Sequence, residues 1–187
     1  AIKQYSIVDN VSMVVAMLFA SIPSFVMGLL LQLSLALNMK LFPATGAATW
    51  WHFVLPAITL STGTMATLIR MTRSTMLEVI RADYVRTARA KGLKEKVVIY
   101  SHAWRNALLP VITVLIGWFI SIFSGSLIIE QMFALNGMGQ LYYQGLMNND
   151  FELALAIQMF YVLIALVGQL ITDLSYGIVD PRVRVNK

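Results

Sequence analysis

The chain has 187 residues, of which 58% are hydrophobic and 12% charged, with a formal net charge of +5 and no cysteine. A soluble domain carries about 25% charged residues, so this chain lacks the surface charge to stay dissolved and is read as an all-α polytopic membrane protein. The missing cysteines exclude a disulfide scaffold and a thiolate metal site, and His52 and His102 stand too far apart to make a ligand motif.

The opening AIKQYSIVDN, without an initial Met, reads as a loop leaving an earlier helix, so a fragment is expected. Four runs free of Asp, Glu, Lys and Arg follow, at 11–37, 53–69, 107–129 and 153–172. A bilayer core takes about 20 helical residues to cross, and backbone amides in lipid must be satisfied internally. The runs therefore predict helical spans over about 11–37, 52–74, 107–130 and 152–178, with a loop over about 75–106. The first run is long and holds Pro23, which predicts tilt or a kink. Trp50, Trp51 and His52 extend the second into an interface where aromatic rings anchor. Asn106 can cap the third, placing Pro110 in its first turn, where a proline costs little. Asn136, Gly137 and Gly139 mark a turn rather than a phosphate loop, since no strand precedes them. Asp150 can cap the last span, with Glu152 in its first turn.

The start, the 70–105 region and the tail hold 13 of the 14 basic residues, and the other side has Lys40 alone. The positive-inside rule puts the start, the long loop and the tail in the cytoplasm, which agrees with four spans.

The loop, RADYVRTARAKGLKEKVVIYSHAWRNALLP, is basic and amphipathic. Asp83 is an N-cap candidate for a short helix ending near Lys91, stopped by Gly92 in the left-handed conformation. A second helix is expected from near Leu93, carrying Val97, Val98, Ser101 and Trp104 on one side. Ala88 and Gly92 share a face that permits close approach. Val85 and Leu93 flank it, and Arg86, Arg89 and Lys91 surround it with charge. Such a face suits a groove on a partner. The same residues also suit a loop that fixes topology against anionic headgroups. Basic residues alone would admit nucleic acid, but the loop is tethered close to the bilayer at both ends.

Several residues inside or beside the spans stand out. Asp173 lies near the edge of the hydrocarbon, where ionisable groups pair or face water. Arg70 and Arg73 enter at the same depth, so a brace from Asp173 to one of them is expected, with a cytoplasmic gate or simple snorkelling as the other readings. Glu130 reads as a helix-end brace or part of an outer gate. Thr59, Ser61, Thr62, Thr64 and Thr67, with Gln32, Gln158 and Gln169, serve either helix packing or the lining of a wet path. The eleven methionines read as adaptable packing.

YVRTARAKGL followed by HAWRNALLP resembles the cytoplasmic EAA loop of binding-protein-dependent ABC importer permeases. More narrowly, LPAITLSTGTMATLIRMTRSTMLEV, SGSLIIEQMFALNGMGQL and ITDLSYGIVDPRVR resemble the B-type subunit of the oligopeptide, dipeptide and nickel branch. The general motif has Glu-Ala-Ala where this chain has Arg86, Thr87 and Ala88, and the fourteen residues between Gly92 and Ala107 replace its nine. Both departures are typical of the peptide branch. Ala134-Leu135-Asn136-Gly137 stands where that branch usually has a Pro-Gly pair.

The resemblance implies a type I ABC importer transmembrane fold with four of the usual six spans, in a bacterial or archaeal cytoplasmic membrane. It implies half of a channel, paired with a homologous C-type permease and served by an extracytoplasmic substrate-binding protein. ATP and Mg are then bound by two separate cytoplasmic ATPase subunits. The chain itself is expected to be no enzyme and to bind no cofactor, metal or nucleic acid. The helix around Tyr84, Val85, Arg86, Thr87, Ala88, Arg89, Ala90, Lys91, Gly92 and Leu93 is implied to couple to the ATPase. The rival class is a stand-alone channel or secondary carrier, which would want intramembrane charges along a path or broken-helix repeats.

Overall fold

The computed structural model describes residues 6–179, and of residue 124 and of 175–179 it describes the backbone alone. Lys3, Asp180, Arg182, Arg184 and Lys187 lie outside the described residues. The described residues form nine α-helices, with 3-10 and π segments, and no strand.

The first apolar run is two helices, not one. Helix α1 (Ile7–Ser21) stops where Pro23 cannot continue it. Helix α2 (Ser24–Leu31), which runs on as a π-helix over Gln32–Asn38, leaves at an angle of 98°. The expected kink is therefore a break. A 3-10 turn (Trp50–Phe53) leads into α3 (Val54–Ile80), making the second rod longer than expected. Helix α4 (Asp83–Ala90) is capped by Ala82, so Asp83 is its first residue rather than its cap.

The third rod begins earlier than expected. Helix α5 (Glu95–Val97), a π-helix (Val98–Trp104) and α6 (Arg105–Ser121) run on without interruption. Asn106 is thus mid-helix, its side-chain amide donating to the His102 carbonyl at 2.7 Å, and Pro110 lies inside α6 rather than in a first turn. The rod also ends earlier, at a 3-10 turn and Gly125, whose φ of +66° suits glycine. The segment beyond it, read as a span end and turn, is α7 (Leu127–Met132) and α8 (Met138–Met147). Helix α9 (Phe151–Val179) closes the described chain, and the Asp150 carboxylate accepts from the Leu153 amide at 3.0 Å, capping it.

Three rods (Trp50–Ile80, Glu95–Ser121 and Phe151–Leu174) are long and apolar enough to cross a bilayer, and the bent α1–α2 pair counts as a fourth. Their outward faces stay apolar, with Phe119, Leu163 and Leu166 all largely exposed, as a lipid-facing surface requires. Two buried clusters hold the rods. Met76, Val85, Val98 and Ala107 meet at the hairpin end, and Ala36, Leu55, Ile129 and Phe133 meet at the opposite end.

Candidate functional site

The hairpin between α3 and α6 is the candidate site. A two-residue turn after Ile80 reverses the chain into α4. Val85 (0% exposed) and Ala88 (6%) pack against Met76 of α3 and against Val98, Ala103 and Ala107 of the third rod. Gly92 then turns the chain with φ +76°. A Cβ there would meet open space, so the conformation and not the room selects glycine. Across this turn Arg89 makes a forked pair with Glu95, at 2.8 and 3.2 Å. These hydrogen bonds raise the Arg89 guanidinium above its already high ordinary value.

This packing corrects one expectation. The face shared by Ala88 and Gly92, with Val85 and Leu93 flanking it, reads as suited to a partner's groove; the chain's own rods cover Val85 and Ala88, while Gly92 and Leu93 stay exposed. Periodicity reports that a face is apolar but not which neighbour covers it. The surface left for a partner is the rest of the helix. Tyr84, Thr87 and Lys91 form one exposed stripe at helical spacing, with Arg86 and Ala90 beside it and exposed Leu93 beyond the turn. Gly92 is exposed too.

The charges near the spans are also redistributed. Arg73 grips Asp9 of α1 through two bonds of 2.9 Å, and Asp9 is buried. Asp173 instead accepts from Gln169, one turn back on its own helix, at 3.0 Å. In place of the expected brace from Asp173 to Arg70 or Arg73 there is an Asp9–Arg73 brace between α1 and α3, and Arg70 is exposed. Sequence reasoning missed Asp9 because it was read as part of a loop. The signal was present: Ser6 caps the Asp9 amide at 3.2 Å, which brings α1 and its acid to the depth of Arg73.

At the opposite end, Glu130 is a brace. Its buried carboxylate accepts the amides of Ser126 (3.0 Å) and Gln140 (2.9 Å), tying the starts of α7 and α8 together. Gly125, Gly137 and Gly139 make room for it, since a Cβ on the first two would collide with the carboxylate and one on Gly139 with the Leu127 backbone. Gln32 donates to the carbonyls of Ala44 (2.8 Å) and Met132 (3.1 Å), and so joins the same end. Thr59 is fully buried and bonded to the Leu55 carbonyl, and Thr62 bonds to the Thr59 carbonyl. Gln32 and Thr59 are thus packing residues in this fold, whereas Gln158 stands exposed on α9. Among the described residues no cluster of three or more His, Asp or Glu is placed to hold a metal.

Residues 1–185 match the family described as the binding-protein-dependent transport system inner membrane component. The chain belongs to this family. It is 43% identical over 190 residues to the dipeptide transport system permease protein DppB of Bacillus subtilis (strain 168), covering 100% of this chain and 61% of that protein. It is 39% identical over 191 residues to the oligopeptide transport system permease protein AppB of the same organism, covering 97% and 60%. It is 34% identical over 176 residues to the glutathione transport system permease protein GsiC of Pectobacterium atrosepticum, covering 94% and 58%. The chain therefore spans about three-fifths of the length of these relatives. The fold is that of a type I ABC importer permease, and the resemblance to the B-type subunits of the peptide branch holds along the whole chain.

Proposed function

We propose that the chain is part of the membrane domain of a B-type permease that imports peptides with energy from separate ATPase subunits, and that α4 is where those subunits push. The observation that carries this reading is the two-sidedness of α4. One face is built into the chain's own core at Val85 and Ala88, while Tyr84, Thr87 and Lys91 stand free. A helix held this way moves with the rods it is packed on. A push on the Tyr84 face is delivered to α3 through Met76 and to the third rod through Val98, Ala103 and the Arg89–Glu95 pair.

In this reading the hairpin is cytoplasmic, as its basic residues favour, and two ATPase subunits carry ATP and Mg. A homologous C-type permease completes the path, and an extracytoplasmic binding protein delivers the substrate. Peptides are the substrate class, by the names of the most similar relatives. Two global states with different contacts at α4 make the coupling allosteric.

Tyr84→Ala and Ala90→Glu test it. Both change the exposed surface and leave the Val85–Ala88 packing alone. Loss of one aromatic anchor from an interface costs about 2 kcal/mol, roughly a thirtyfold change in affinity. Such variants are expected to insert normally, to retain fewer co-purifying ATPase subunits, and to lose peptide-stimulated ATP hydrolysis in reconstituted vesicles. Wild-type coupling in both would remove α4 from the transmission.

A further inference from the structure

The break between α1 and α2 lies at hydrocarbon depth. Arg73 and Trp51 are 22 residues apart on one rod, about 33 Å at 1.5 Å per residue, which matches a bilayer core. The Asp9–Arg73 pair marks the hairpin edge of that slab, and the stacked Trp50 and Trp51 rings mark the other edge. Ile22 is 13 residues along α1 from Asp9, about 20 Å into the slab. Beyond the break, Gly28 lies against Thr59, which is eight residues, or about 12 Å, short of Trp51. Both measures place the corner well inside.

At that corner the backbone is left open. The amides of Ser24, Phe25 and Val26 begin a helix whose cap, Pro23, offers no side-chain acceptor. No other backbone group among the described residues takes them. The last carbonyls of α1 end at the same place, without a capping bond from Ile22. The Ser24 hydroxyl also has no partner among the described residues. Elsewhere within the slab the hydroxyls of Ser12, Ser21, Ser34, Thr59, Thr62 and Thr113 each donate to a carbonyl three or four residues back. Ser24, in the first turn, has no helical carbonyl behind it. Ser21, Pro23, Ser24 and Phe25 are all exposed. Open backbone of this kind does not occur against lipid, where each unsatisfied group costs several kcal/mol.

We propose that the Ser21–Ser24 corner faces water: it lines the aqueous path through the membrane, and its free amides and the Ser24 hydroxyl are hydrated there. The identity of that path as an import route rests on the permease reading, but the presence of water at the corner does not.

The chain contains no cysteine, so single thiols report without a background from it. Ser24→Cys is made in the intact permease, assembled in membrane vesicles, and treated with a charged, membrane-impermeant methanethiosulfonate, with labelling read by mass on this chain. Leu166→Cys on the exposed apolar face of α9 and Thr59→Cys in the core serve as references. The thiolate is the reacting species and apolar surroundings raise a thiol's pKa, each unit being tenfold in thiolate, so Ser24→Cys should label at least about tenfold faster than both. Labelling at the rate of either reference overturns the proposal. So does capture of the thiol by a short cross-linker to another membrane subunit without labelling, which would mean protein seals the corner. Ser21→Cys gives the same reading should Ser24→Cys fail to assemble. Neither result depends on transport, so normal ATPase coupling in the Tyr84→Ala and Ala90→Glu variants would leave the labelling test standing.

Discussion

Two apolar rods of this molecule break, and the breaks are repaired differently. At Gly125 the chain leaves α6 and re-enters a helix whose cap amide, that of Ser126, is met by the Glu130 carboxylate together with the Gln140 amide of α8, in a cage of three glycines. At Ile22–Pro23 the chain leaves α1 and re-enters a helix with no such acceptor. Composition does not separate the two, since both follow long hydrophobic runs. The difference is whether the chain supplies a partner for its own backbone. Where it does, the break is a rigid joint; where it does not, the surroundings must supply one.

The largest effect is expected from removing the repair. Glu130→Ala leaves two half-buried amides unanswered, at about 1 kcal/mol or more each. A steep fall in thermal stability in detergent is expected, and an unchanged melting curve would dissolve the contrast. Gly137→Ala keeps the carboxylate but drives a methyl into it, with an expected loss of about 1–3 kcal/mol in the same measurement. The Gly92 turn is a middle case, stitched by an exposed pair. Exposed pairs contribute little, so Glu95→Gln should leave the melting point in place and quicken amide exchange at Gly92 and Leu93. The smallest change is expected at the open corner. Ser24→Ala removes no contact within the chain and should stay within about 0.5 kcal/mol of wild type. A loss comparable to that of Gly137→Ala would show that Ser24 holds the fold.

The same contrast explains what was legible in the sequence. The rods follow from composition, because lipid permits only internally bonded helices here. Pro23 announced its break, since a proline disturbs a helix by its own covalent structure. Gly125 did not, because its repair comes from a side chain five residues on and an amide fifteen residues on. Glu130 was recognised as a brace candidate by its position, but its cage depends on long-range closure that no spacing rule reports. Periodicity located an apolar face on α4 but not the neighbour that covers its Val85–Ala88 part, since the third rod returns only after Gly92. Asp173 attracted a cation on paper because it was the visible acid at that depth; Asp9, hidden in an apparent loop, took Arg73 instead.

The stretch from Glu95 to Ser121 has a mechanical consequence. Twenty-seven residues without a joint make a beam about 40 Å long. Near its far end Ile120 is wedged so closely against Gly168 of α9 that even a methyl on that glycine would not fit. A beam pinned there has little slack to absorb a displacement at its hairpin end, and a tilt of about 5° sweeps that end sideways by about 3–4 Å over this length.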